Sequence, residues 1–156
     1  MRFKKIKAGT AGKISLEYEV KKGWGMDEFA MSCVDKALPS FHEALQALSE
    51  DVVEIYEFPE SYRDRILVTG VSFSYAGDNE VMGATIISQL RLAKSNVGLN
   101  INTPYKASEF YGETGDKDQL LSEDCVERLG TLQEEAEKYL KGTRAQAELF
   151  AKQEAA

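Results

Sequence analysis

The stretch Arg65-Ile66-Leu67-Val68-Thr69-Gly70-Val71-Ser72-Phe73-Ser74-Tyr75 decides the fold class. Ile66, Val68, Val71, Phe73 and Tyr75 interleave with Leu67, Thr69 and Ser72 at a period close to two, the pattern of a strand with one buried face. Gly70, where the alternation slips, marks a β-bulge. Ala76-Gly77-Asp78-Asn79-Glu80 supplies turn chemistry, and Val81 to Leu92 resumes strand character. Ser95-Asn96 makes another turn, and Val97-Gly98-Leu99-Asn100-Ile101 alternates once more. Residues 65–101 therefore predict a three-stranded antiparallel meander with one apolar and one polar side. A single apolar side leaves one face for helices, which makes the expected class α+β.

The flanks add strands on one side and helices on both. Residues 2–7 and 13–20 alternate across Gly9 and Gly12, as a β-hairpin does. Phe29-Ala30-Met31-Ser32-Cys33-Val34, after the punctuation Gly23-Trp24-Gly25, predicts a further strand, for about five to six in all. Pro39 begins a helix whose apolar positions Phe41, Ala44, Leu45, Leu48, Val52 and Ile55 predict a single element over 39–56. Residues 103–118, with Pro104, Gly112 and Gly115, predict a surface loop. Ser122 caps a second helix, with Glu123 and Asp124 in its first turn and a stripe of Cys125, Val126, Leu129, Leu132, Ala136, Tyr139 and Leu140. Gly142 ends it. The expected organisation is an α+β domain over 1–142, with both helices on one sheet face, and a flexible C-terminal tail over 143–156.

Composition sets bounds on function. A chain of 156 residues buries roughly two-thirds of its unfolded surface and folds without metal or disulfide. No apolar run reaches the length of a spanning helix, and Met1-Arg2-Phe3-Lys4-Lys5-Ile6-Lys7 lacks the apolar region of a secretory signal. No membrane partner is therefore expected, and Cys33 and Cys125, in unrelated settings, are expected to be reduced, which points to the cytoplasm. The net charge is −7, but residues 1–22 carry net +5, leaving net −12 on the remainder. A basic arm of Arg2, Lys4, Lys5 and Lys7 is a candidate, weak contact for single-stranded DNA; lysines guarding a sheet edge would explain the same residues.

Catalytic chemistry finds little support. His42, alone of its kind, sits on a predicted helix between Phe41 and Glu43, so histidine metal sites and Ser-His or Cys-His pairs have no basis. Both cysteines lie in apolar patterns and read as small hydrophobes. Ala8-Gly9-Thr10-Ala11-Gly12-Lys13 lacks the spacing of a P-loop and joins two strands. Glu113, Asp116 and Asp118 share a loop without the spacing of a calcium site. Tyr105, Phe110 and Tyr111, beside Lys106, could stack on a base or pack against the second helix. No metal, cofactor or catalytic residue is expected.

The tail stands out. Gln146-Ala147-Glu148-Leu149-Phe150 resembles the peptide by which bacterial replication and repair proteins dock on the sliding clamp. In such a peptide the Gln amide supplies both donors and acceptor, while Leu and Phe enter an apolar pocket on the ring. Ala147 stands where these peptides often carry Leu. The competing reading folds Leu149 and Phe150 back on the core. Val68-Thr69-Gly70-Val71-Ser72-Phe73-Ser74-Tyr75, Val81-Met82-Gly83-Ala84-Thr85-Ile86 and Leu99-Asn100-Ile101-Asn102-Thr103-Pro104-Tyr105 are similar to small uncharacterised phage and prophage proteins encoded near replication and recombination genes. That resemblance implies no activity; it implies a bacterial cytoplasm and DNA metabolism as the setting.

The expected function is a non-enzymatic phage or prophage accessory protein, docked on the host clamp through Gln146, Leu149 and Phe150. The alternative is an acidic inhibitor that blocks a host defence enzyme by presenting negative surface in place of nucleic acid.

Overall fold

The computed structural model describes residues 1–9, 11–112 and 114–145. Among them, seven strands make one antiparallel sheet: β1 (Arg2–Ala8), β2 (Ile14–Lys22), β3 (Gly25–Cys33), β4 (Ile66–Ala76), β5 (Val81–Leu90), β6 (Leu99–Asn100) and β7 (Lys106–Ala107). The order is β3-β2-β1-β4-β5-β6, with β7 also on β5. Helices α1 (Pro39–Ala47), α2 (Ser49–Tyr56) and α3 (Glu123–Leu140) complete the α+β fold.

The expected centre of the sheet is where the longest ladder forms. β4 pairs with β5 from Ile66–Leu90 to Ala76–Val81, and the register slips between Val68 and Gly70. The bulge needs glycine for a steric reason. A Cβ on Gly70 would lie 2.6 Å from the Ile6 carbonyl oxygen of β1, so any side chain would push the neighbouring strand away. The register turns Val71, Phe73, Ala84 and Ile86 to the same side as Ile6 and Leu16. These pack on Phe41, Leu45, Leu48 and Val52 of the α1–α2 pair and Leu129, Leu132 and Tyr139 of α3. All three helices cover that side.

Four expected boundaries are corrected. The helix expected over 39–56 is two helices meeting at Leu48, whose N–H bonds to Leu45 O at 3.3 Å in a tighter turn. The break keeps Leu48 and Val52 fully buried and turns Asp51 toward α3. The strand expected at 29–34 begins earlier, at Gly25, because Gly23-Trp24 closes a two-residue hairpin between Lys22 and Gly25. The third meander strand shrinks to Leu99–Asn100; beyond it Ile101 and Thr103 each give one backbone bond, to Ser88 O and Ile86 O, and the return bonds run through the Ser88 and Thr103 hydroxyls. The loop expected at 103–118 supplies β7 and a 3₁₀ turn over Lys117–Gln119.

The second helix ends as expected. Gly142 takes φ +99° and bonds to Tyr139 O, and Thr143 N–H reaches Lys138 O at 2.9 Å.

Candidate functional sites

Chain order beyond α3 leads first to an anchor. Arg144 donates to Asp35 Oδ2 at 2.7 Å, to Cys33 Sγ at 3.3 Å and to Tyr139 O at 3.1 Å, with its guanidinium 4.4 Å from the Tyr139 ring centre. Tyr139 Oη in turn donates to Asp35 O at 2.6 Å, and Ala145 N–H bonds to Lys36 O at 3.0 Å. Hydrogen bonding from Arg144 holds the Asp35 carboxyl below the ordinary carboxylate range. The folded unit thus continues past Gly142, the expected domain boundary, through Ala145. Gln146, Leu149 and Phe150 lie outside the described residues, as do the other residues of 146–156.

The basic arm is largely occupied by acids. Arg2 pairs with Glu19 and, at 3.1 Å, with Glu80, and its guanidinium lies 4.1 Å from the Tyr75 ring centre. Lys4 Nζ meets Glu28 Oε1 at 2.8 Å. Lys5 and Lys7 form no ion pair among the described residues, and they stand on one side of β1 opposite Glu17 and Ser15. Of the four residues, Arg2 and Lys4 are thus paired with acids from elsewhere in the sheet. Sequence reading missed this because the acids come from other strands.

A buried cluster not foreseen from sequence lies between α2 and α3. Asp51, 1% exposed, accepts from Arg128 at 2.8 Å through Oδ1, while Oδ2 has no hydrogen-bond partner. The Cys125 thiol is its neighbour. Burial pushes Asp51 up to about 6 despite the arginine, and pushes the Cys125 thiol above its ordinary value, with Asp51 adding to the shift. The raised value keeps the Cys125 thiol protonated and disfavours its thiolate. Arg128 also donates to Glu50 at 2.9 Å. Asp51 and Cys125 floor a cleft of about 410 Å³ that Glu54, Lys106, Lys117 and Asp118 rim. The arrangement sets a carboxyl, a thiol and a guanidinium together at the floor of the cleft. The signal available from sequence was weak: an Asp among the apolar positions of the first helix.

The remaining candidates resolve into packing. His42 is exposed and sits edge-on to Phe41. Gly9 N–H bonds to Lys13 O, closing the β1–β2 connection. Asp116 Oδ1 accepts from Asp118 N and caps the 3₁₀ turn; Glu113 lies outside the described residues. No group of three metal-ligating side chains occurs among the described residues. Tyr105 covers Gly83 of β5, Tyr111 lies on Gly77 and Phe110 on Gly115, so these rings pack on the β4–β5 hairpin and their own loop. No described helix is long and apolar enough to cross a membrane. Against known proteins, no family model, no curated protein and no solved structure matches this chain.

Proposed function

We propose that the chain is a non-enzymatic adaptor of bacterial DNA replication or recombination, carried by a phage or prophage, whose tail docks on the sliding clamp. The observation that carries this reading is the position of the motif. Gln146 follows directly on Ala145, the residue bonded to Lys36 O, and on Arg144, held by Asp35, Cys33 and Tyr139. A docking peptide must lie outside the packed domain, and the last described contacts of the chain, at Arg144 and Ala145, come directly before Gln146. Burial of Leu149 and Phe150 in an apolar pocket contributes roughly 1.5–3 kcal/mol each before ordering costs. Micromolar affinity, roughly −8 kcal/mol, therefore requires the Gln146 amide and the peptide backbone to add to these two side chains beyond the ordering cost.

Calorimetric titration of the full chain into a bacterial sliding clamp tests this. The double variant Leu149→Ala/Phe150→Ala should lose binding while its melting temperature stays nearly unchanged. A large fall in melting temperature would assign both side chains to the core and remove the reading's main support.

A second reading has one observation in its favour. Glu54, Glu57, Glu60 and Asp124 are exposed around a shallow groove over the end of α2, where Arg128 and Arg63 are already engaged by Glu50. Such a surface suits an acidic inhibitor that takes the place of nucleic acid. Tight binding to a nuclease, with none to the clamp, would favour it.

A further inference from the structure

β3 is an edge strand with apolar side chains in the open. It occupies one end of the sheet, and Met26 through Ala30 are all exposed. Phe29 is 43% exposed although it stacks on Tyr18 at 5.2 Å, and just beyond the strand ends Trp24 is 103% and Val34 79% exposed. The strand holds no proline, no lysine and no bulge, and Asp27 and Glu28 are the only charged guards of its free edge. Among the described residues no strand pairs with its outer side.

The directions of its backbone groups follow from the hairpin. Gly23 has φ +55° and Trp24 is not among the residues of positive φ, the signs of a type II′ turn. Such a two-residue loop closes on a hydrogen-bonded pair, Lys22–Gly25, and the register runs unbroken to Ile14–Cys33. Hydrogen-bonded pairs alternate along it, so Met26, Glu28, Ala30 and Ser32 direct their N–H and C=O groups away from β2. The Ser15 and Ser32 hydroxyls, 3.0 Å apart, fit the closer side-chain approach of a non-hydrogen-bonded pair.

We propose that this edge pairs with β3 of a second copy of the chain, antiparallel about a two-fold axis at Phe29. Only registers that match outward-directed residues with one another can form a ladder. Centring on Asp27 or Glu28 sets that acid against itself. Centring on Ala30 pairs fewer residues. Centring on Phe29 pairs all nine residues of Gly25–Cys33. The hydrogen-bonded pairs are then Glu28 with Ala30 and Met26 with Ser32, and Asp27 faces Met31. No acid meets an acid. Phe29 meets Phe29 of the second copy across a close non-hydrogen-bonded pair, extending the Tyr18–Phe29 stack through the axis. One position beyond each strand end, Trp24 falls opposite Val34, so the two most exposed apolar side chains of the strand and its flanks cover each other. The surface is self-complementary, as a two-fold interface requires, and the sheet becomes continuous through both copies.

Sedimentation equilibrium on the full chain, from about 1 to about 100 µM, should return twice the chain mass at the upper end. The double variant Trp24→Glu/Val34→Glu touches exposed positions only; its melting temperature in dilute solution should hold, and its dimer should weaken at least about tenfold. Phe29→Cys in a Cys33→Ser background should give a disulfide-linked dimer on mild oxidation, since opposed non-hydrogen-bonded residues sit within disulfide reach. A monomer throughout the range overturns the proposal. So does a dimer that the glutamates leave intact, or a dimer in which Phe29→Cys does not cross-link.

Discussion

Asp51 is the residue whose titration the fold controls. Its folded value, about 6, stands above the ordinary 3.8 because burial disfavours the charged form more than Arg128 favours it. A raised value means that the folded chain binds the proton more tightly than the unfolded chain. The resulting stability is fully present below about pH 4 and is lost as pH rises through about 6, a swing on the order of 2–3 kcal/mol. Asp51→Asn should flatten that segment of the stability–pH curve, leaving stability at pH 7 equal or higher, because the amide oxygen can still accept from Arg128. Melting curves of both proteins between pH 4 and pH 7 check it; parallel curves would contradict the assignment. Gly70 is the steric counterpart. Gly70→Ala must move either β1 or its own strand away from the Ile6 carbonyl, at a cost of about 1–3 kcal/mol by denaturant titration.

Among elements, the C-terminal anchor is the one most exposed to a simple test. Arg144→Gln removes the ion pair with Asp35 and the contact over Tyr139, both partly exposed, and should cost about 1 kcal/mol. Amide exchange at Ala145 should speed up in the same variant, because its bond to Lys36 O loses its neighbouring support. The Asp35 carboxyl is held low, so its contribution is present above the ordinary carboxylate range and lost on acidification below it. Exchange at Ala145 should therefore also quicken in acid, relative to the intrinsic rate. Elements also show what the sequence could express. The β4–β5 ladder, its bulge at Gly70 and the capped helix from Ser122 were legible, because period, turn residues and caps are local. The break at Leu48 was not, since Phe41 to Ile55 keep helical spacing across it and only the sheet beneath decides the angle. The pairings of Arg2 with Glu19 and Lys4 with Glu28 were hidden for the same reason: each joins residues at least seventeen apart in the chain.

At the scale of the whole molecule, the strands and helices form a scaffold and the proposed contacts lie at its periphery. The described domain fixes Arg144 and Ala145 beside the end of β3, directly before Gln146. The free edge of β3 lies at one end of the sheet order, and the anchor meets that strand at Cys33. Little of this was available to sequence reading, which placed the motif but could not see what holds the residues before it. The most direct measurement compares the full chain with a chain ending at Ala145, each titrated into a bacterial sliding clamp with melting curves recorded alongside. The expected result is micromolar binding by the full chain, none by the shortened one, and closely similar melting temperatures. Equal binding by both, or no binding by either, would contradict the adaptor reading.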